Sequence, residues 1–371
     1  MRFSCYSQDL IQGLSDVTRA LSARPAKPIF EGVLLEASDE GLLLTCTDGS
    51  LTIRSTVDAQ ITEEGRAVLP GKLFTEIVRK LPLGDVDINV NEKLIASIKC
   101  MQSRTTLSGM SAIDFPQTRE MERGNEIYLP QKKLRDMINK VVFAIATDES
   151  RQVLTGCLLE VRSSEVRVIA LDGFRLALQK YEGSFTLPAE KTTMECIIPG
   201  RVAQELGKIM DDSDEPATLT LERTHMSVSF GKTELLTVLL AGEYINYRQI
   251  LPTEFLTSVK ASTASLADAV ERASLMAREG KNNRIQMHIS ESIMQITSNA
   301  DRGDVLEEIE IYLDGKDIDI AFNARYISDV IRNTGSSEIC MRFNSNVSPC
   351  VISPADGDDY LYLVLPVRTF S

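Results

Sequence analysis

The chain of 371 residues has no tryptophan and two histidines, His225 and His288, each in a run of alternating polarity that reads as a strand. A histidine on a strand surface is ordinary filler, so imidazole offers little for catalysis or metal binding. No HExxH or GxSxG pattern occurs. The seven cysteines, at 5, 46, 100, 157, 196, 340 and 350, form no CxxC pair. They read as small apolar fillers of a reduced, cytoplasmic protein rather than as disulfides or zinc ligands. Gly231-Lys232-Thr233 resembles the end of a phosphate-binding loop, but Met226 stands where the upstream glycine is required, and a hairpin turn is the better reading. No apolar run approaches the roughly 18 residues of a membrane span. The mixed, polar start Met1-Arg2-Phe3-Ser4-Cys5 is not expected to be a signal peptide. No catalytic residue, metal or cofactor is expected.

What the chain does have is repetition. Gly32-Val33-Leu34-Leu35-Glu36 returns as Gly156-Cys157-Leu158-Leu159-Glu160, and Asp48-Gly49 returns as Asp172-Gly173, both offset by 124 positions. A match in wording and spacing marks a repeat of domain size, and 371 residues hold about three such units. Each Asp-Gly pair follows a strand-like run and reads as a tight turn. A second signature recurs three times: Leu69-Pro70-Gly71-Lys72 with Glu76, Ile198-Pro199-Gly200-Arg201 with Glu205, and Phe322-Asn323-Ala324-Arg325 with Asp329. It opens the second helix of each repeat. The third repeat is more worn, with Thr297-Ser298-Asn299-Ala300 in place of Asp-Gly.

Apolar residues at 3.6 spacing predict helices over 8–22, 71–81, 131–144, 200–210, 265–278 and 324–334, with Ser7 as the cap of the first. Leu266, Ala269, Val270, Ala273 and Leu275 or Met276 form the apolar face of the fifth. Strand-like runs fill the remainder, at 30–37, 41–47, 51–58, 85–91, 94–100 and 104–108 in the first repeat. Three α+β domains of one design follow.

The formal charge of −13 argues against a nucleic-acid partner at first sight. Its distribution is uneven. The six helix windows hold 14 Lys and Arg against 8 Asp and Glu, net +6, while the rest holds 26 against 45, net −19. Helix propensity alone accounts for basic residues on exposed helix faces. A shared basic wall facing a polyanion accounts for them equally, because screening over roughly 10 Å separates it from an acidic exterior.

The whole chain resembles the bacterial DNA polymerase III beta subunit, or sliding clamp, family. The residues that carry this are Arg24-Pro25 with Pro28-Ile29, Leu44-Thr45 with Thr47-Asp48, Asp114-Phe115-Pro116 and Leu171-Asp172-Gly173-Phe174-Arg175-Leu176, then Tyr247-Arg248 before Ile250-Leu251-Pro252, Phe322-Asn323 and Leu365-Pro366-Val367-Arg368. The resemblance implies three clamp-type α+β domains, at 1–122, 123–253 and 254–371. It implies that two copies close head to tail as a homodimer ring, with helices toward encircled double-stranded DNA and sheets outside. The implied function is a non-catalytic processivity factor for DNA replication. Sliding requires backbone contacts without base readout.

By the same resemblance, Arg24, Lys72, Arg79, Lys80, Lys132, Lys133, Arg135, Lys140, Arg201 and Lys208 are the expected DNA contacts. A pocket for the short hydrophobic motif of the polymerase catalytic subunit, clamp loader and repair proteins would use Leu154, Leu171, Gly173, Phe174, Arg175, Leu176, Ile245, Gln249, Ile250, Pro349, Leu363, Val364, Leu365, Pro366, Val367 and Arg368. Arg175 and Arg368 would meet a carboxylate or carbonyl of that peptide, and Leu154 and Val364 read more simply as core. Phe174, Ile245 and Gln249 stand where many members have His, Pro and Arg, which leaves the preferred motif open. The dimer interface would set Leu107 against Leu275 and Met276, with Lys99 and Arg104 facing Glu307 and Glu308. A repeat-built scaffold that never encircles DNA is the alternative, and an enzyme has only scattered carboxylates in its favour.

Overall fold

The computed structural model describes residues 1–368 apart from 23, 24, 26, 123–125 and 189–190, and residue 281 by its backbone alone. The chain divides into two compact units, Met1–Leu134 with Lys208–Leu239, and Arg135–Gly207 with Leu240–Ser371. Six α-helices form: α1 (Ser7–Val17), α2 (Gly71–Arg79), α3 (Gln131–Asn139), α4 (Gly200–Ile209), α5 (Thr263–Glu279) and α6 (Ala324–Thr334). Each matches its predicted window, with α1 starting one residue early and α5 running two residues before and one beyond its window.

The signature at the second helix of each repeat has a steric reason. Pro70 and Asn323 are N-caps, and Asn323 Oδ1 accepts from the Arg325 amide at 3.0 Å. A Cβ on Gly71 would lie 2.7 Å from Leu21 Cδ1, and one on Gly200 would lie 2.6 Å from the Thr155 carbonyl oxygen. Only glycine, or alanine where the third repeat leaves more room, fits there. The Ser7 cap is not formed. Tyr6 is the N-cap without a side-chain bond, and Ser7, inside the helix, accepts from the Gly84 amide at 3.2 Å. The start of the chain, read as merely polar, is a strand, Arg2–Tyr6.

In the first unit an antiparallel sheet runs in the order 59–63, 2–6, 85–90, 95–100, 103–108. An eight-stranded sheet runs 126–130, 216–221, 225–230, 233–238, 51–57, 41–47, 32–38, 65–70. It joins two repeats through the strands Thr233–Val238 and Leu51–Val57, with Leu236 opposite Thr52. Gly231 (φ +53°) and Lys232 make the hairpin before the first of these, as expected.

The second unit holds twelve strands, ordered 193–199, 156–162, 165–171, 175–182, 360–364, 350–354, 338–343, 257–262, 303–315, 293–300, 284–290, 318–323. Here Arg175–Glu182 pairs with Tyr360–Val364, Leu176 opposite Leu363. The two joins obey one rule. The strand after the Asp-Gly turn of one repeat takes the last strand of the following repeat.

α1 buries Leu10, Leu14 and Val17, α5 buries Leu266, Ala269, Val270 and Ala273, and Leu275 of α5 points outward. All seven cysteines are free thiols. Burial pushes Cys5 and Cys157 up to about 12, as inert fillers require. Among the described residues no helix is long and apolar enough to cross a membrane, and no cluster has metal-ligand composition.

One carboxylate inside the first unit is out of balance. Asp16 on α1 is pushed up to about 6, mainly by burial, with Asp211 adding repulsion and Gln12, Arg19 and Thr233 opposing. Its folded pKa exceeds the ordinary aspartate value of 3.8, so the native state binds the extra proton. The stabilisation is complete below that value and is lost as pH rises through about 6. Asp16→Asn is therefore expected to raise the melting temperature above the wild-type value at pH 7 to 8. The gap should close near pH 4. A gap independent of pH in thermal melts would contradict the assignment.

Candidate functional site

The turn Asp172–Arg175 is the centre of the candidate groove. Gly173 takes φ +91°, the Asp172 amide donates to the Arg175 carbonyl at 3.2 Å, and Asp172 Oδ1 accepts from the amides of Phe174 (2.9 Å) and Arg175 (3.0 Å). The Asp48 turn is built identically, with Gly49 at φ +94° and Asp48 Oδ1 accepting from Ser50 and Leu51 at 2.9 and 2.8 Å. A side-chain carboxylate closing a tight turn explains why Asp precedes Gly in both copies.

Around the second turn the chain assembles an apolar cluster. Leu154, Leu171, Leu176 and Leu363 are buried in it together with Leu158, Ile169, Leu178 and Tyr247, while Ile245 and Leu365 pack against it half-exposed. The Leu365 amide donates to the Phe174 carbonyl at 2.8 Å, and Val367 donates to the Ala321 carbonyl at 2.8 Å. The C-terminal segment Leu365–Arg368 is thereby tied down on two sides. Exposed around the cluster are Gly173, Phe174 (57% exposed), Gln249, Ile250 and Arg368, with Pro349, Pro366 and Val367 half-buried. Ile250 follows a turn, Tyr247–Gln249, that is itself anchored. The fully buried Glu160 accepts from Arg248 Nη2 at 2.5 Å and Arg162 Nε at 2.8 Å, and Arg248 lies over the Tyr247 ring.

Leu154 and Val364 take the simpler of their two readings, and one expected role, that of Arg175, changes. Val364 is completely buried and Leu154 nearly so, and both are core. Arg175 is not held ready for a peptide. Its guanidinium donates to Asp172 (3.0 Å), Asp329 (2.5 Å) and the Phe143 carbonyl (2.6 Å), and it lies over the Tyr326 and Phe143 rings. With all three of its nitrogens engaged and 8% of the residue exposed, it is a structural hub. Tyr326, which stacks on Phe174 at 5.9 Å, and Asp329 escaped the sequence reading of the groove. The repeated acid four places after the basic residue was the available signal for Asp329.

The basic residues fall on the helices or just past their ends. Lys72, Arg79, Lys80, Lys132, Lys133, Arg201 and Lys208 are exposed, and Arg135 and Lys140 are half-buried. Lys132 pairs with Asp212 at 3.0 Å and Arg135 with Asp136 at 3.3 Å. Arg24 lies outside the described residues. Lys80 is the C-cap of α2, Lys140 follows α3, and α5 extends to Glu279. The helices as formed therefore carry 11 basic and 9 acidic residues, a smaller surplus than the windows suggested.

Two strand edges complete the set. Among the described residues Ser103–Ser108 pairs on one side only, with Ile95–Cys100. Gly303–Gly315 pairs with Thr257–Ala261 only over Ile311–Gly315, so over 303–310 only the edge toward Ile293–Ala300 is paired among the described residues. Lys99 and Arg104 are exposed beside the first edge, and Leu107 is already packed in its own sheet. Next to the second edge Leu275 is 62% exposed and Leu306 56%, and Met276 is half-buried. Glu307 is not waiting for a partner: Arg272 grips it at 2.8 and 2.6 Å and holds its carboxyl below the usual range. Glu308 accepts from Gln295 at 2.7 Å.

Comparison with known proteins defines the class. Family models for the N-terminal, central and C-terminal domains of the DNA polymerase III beta subunit match residues 1–119, 128–246 and 248–368. The chain belongs to the DNA polymerase III beta subunit family. It is 31% identical over its full length to a beta sliding clamp of Staphylococcus epidermidis, all of which is covered. The crystal structure of a DNA polymerase III beta subunit from Eubacterium rectale superposes with TM-score 0.94 at 31% identity, covering both chains completely. A Pseudomonas aeruginosa sliding clamp bound to griselimycin matches with TM-score 0.93 at 27% identity, again over both whole chains.

Proposed function

We propose that this chain is a sliding clamp of bacterial DNA replication. Two copies close head to tail into a ring around double-stranded DNA and tether the polymerase, without catalysing a reaction. The observation that carries the reading is the strand rule. It operates at two joins, Leu51–Val57 with Thr233–Val238 and Arg175–Glu182 with Tyr360–Val364. Among the described residues, Gly303–Gly315 over 303–310 and Ser103–Ser108 each keep one edge outside any pairing of this kind. A second copy supplies a strand for both, and pairing buries two edges that otherwise invite aggregation. Six repeats then complete the cycle. Domains at 1–122, 123–253 and 254–371 and a cytoplasmic location belong to the same proposal.

In this reading the basic helices hold the phosphate backbone, and the groove around Phe174 takes the short hydrophobic motif of the polymerase catalytic subunit, clamp loader and repair proteins. Leu365 is the cleaner probe of the groove, because Leu176 is also a core residue. Leu365→Ala is expected to weaken binding of a motif peptide by about 1–3 kcal/mol with the fold intact. Unchanged affinity by calorimetric titration would remove the groove from the proposal. Retention on circular DNA, and release when that DNA is linearised, tests the ring. Peptide binding without retention would leave a scaffold that never encircles DNA.

A further inference from the structure

The groove does not end at Phe174. A cavity of about 570 Å³, the size of a small-ligand site, adjoins it. Ala146 lines this cavity and also packs against the apolar cluster of the groove, and Phe174 and Tyr326, which stack, stand at the border of the two. The remaining walls come from the segment after α3, with Phe143 and Ile145, and from the starts of α4 and α6, with Arg201, Gln204 and Arg325. They set half-buried apolar groups beside exposed polar ones.

Charge decides what the cavity can take. Its carboxylates are committed within the chain. Asp172 closes the turn and holds Arg175. Asp148 accepts from the Ser150 amide at 2.9 Å and the Ser150 hydroxyl at 2.8 Å, which hold its carboxyl below the usual range. Of the cations, Arg175 is the buried hub, and Arg201 belongs to the DNA contacts of the clamp reading. Arg325 has neither role. Its side chain is 76% exposed, and among the described residues its one ion pair is to an Asp329 oxygen 3.9 Å away, which Arg175 already holds at 2.5 Å. A guanidinium whose acceptor is distant and shared keeps its fork open for a second carboxylate.

We propose that this cavity seats an acidic side chain flanking the hydrophobic motif of a bound partner peptide, with Arg325 as the contact that selects it. This rests on the groove reading and deepens it. A peptide is the favoured occupant because the cavity continues the groove. Tyr326, stacked on Phe174 at 5.9 Å, precedes no further element before Arg325, its neighbour in the chain, and an extended peptide covers about 6–7 Å in two residues. Half-buried Phe143 and Ile145 give a peptide apolar surface to cover, which a hydrated phosphate would not use.

The test is binding of fluorescein-labelled peptides to the full-length chain, read by anisotropy. The peptides carry the motif of the polymerase catalytic subunit with Asp, Asn or Lys two positions before it or two positions after it. Wild type is compared with Arg325→Gln, with Arg325→Glu and with a charge control in the first unit, Lys93→Gln. At one of the two positions Asp should bind wild type about threefold tighter than Asn, the size of a half-exposed charge pair. Arg325→Gln should bring that ratio toward one, Arg325→Glu should reverse it in favour of Lys, and Lys93→Gln should leave it as in wild type. A reversal cannot come from a loosened fold, so it keeps the test decisive if a variant loses stability. Equal affinity of Asp and Asn peptides for wild type at both positions would overturn the proposal, and so would an Asp preference untouched in both Arg325 variants. Equal peptide affinities joined to weaker duplex binding by Arg325→Gln would give the cavity to a phosphate instead. Failure of every peptide to bind wild type would reject the groove reading beneath it.

Discussion

Leu275→Asp combined with Met276→Asp should convert a dimer of 41.1 kDa chains into monomers and abolish retention on circular DNA. Leu275 is a large apolar side chain on a helix that buries Leu266, Ala269, Val270, Ala273 and Ala277, and it stands out into solvent beside the open edge of Gly303–Gly315. Leu306 and Tyr312, on that strand, are exposed as well. An apolar patch beside an unpaired edge is the composition of an interface centre. A carboxylate placed there must be desolvated without a partner, at a cost of several kcal/mol. In a two-subunit ring each substitution falls on both interfaces. A loss of affinity of at least about a thousandfold follows, from roughly 4 kcal/mol per contact surface. The measurement is native mass across a dilution series, followed by retention on closed and linearised circles. A dimer that persists on dilution would place the interface elsewhere.

The glutamates expected to cross this contact already have partners within the chain. Glu307 and Glu308 are expected opposite Lys99 and Arg104, but Arg272, 35 positions away, already holds Glu307, and Gln295 donates to Glu308. A charge pair within one chain cannot be told from one between chains without coordinates. Leu107 was expected at the surface of an edge strand, and period-two alternation turns it inward instead. What remains for the contact is backbone pairing and the exposed apolar residues of α5 and the strand beside it.

Much of the fold was legible because its rules are local. Apolar periodicity found six helices, and the Asp-Gly turns and the helix-opening signature are short motifs with steric or hydrogen-bonding causes. Repetition then multiplied weak signals into a domain plan. The two compact units were not legible, because they cut across the repeats. Leu51–Val57 and Thr233–Val238 are about 180 positions apart, and their pairing follows from sheet register rather than from any motif. The helix charge was overstated for a related reason. Helix ends are decided by single residues, and moving Lys80, Lys140 and Arg19 outside while admitting Glu279 changes the balance. The buried partners of Arg175 were invisible, since Phe143, Asp172, and Tyr326 with Asp329 converge on it from three segments.

Arg175→Met is expected to destabilise the second unit by about 3–5 kcal/mol, the usual cost of removing one member of a buried ion pair. Asp172 keeps its bonds from the Phe174 and Arg175 amides, but Asp329 and the Phe143 carbonyl lose their charged donor. The damage reaches the groove through the backbone. Phe174 stacks on Tyr326, over which the guanidinium also lies, and the Phe174 carbonyl holds Leu365. A looser turn frees both walls at once, so motif-peptide affinity should fall at least tenfold. Adding Asp329→Leu removes the orphaned carboxylate and should recover part of the lost stability, a coupling that a double-mutant cycle in thermal unfolding would read directly. Two roles for Arg175 are thereby separated. A hub loses stability and affinity together and regains some of both in the double variant. A direct peptide anchor loses affinity at unchanged melting temperature, and that outcome would return Arg175 to the role the sequence suggested for it.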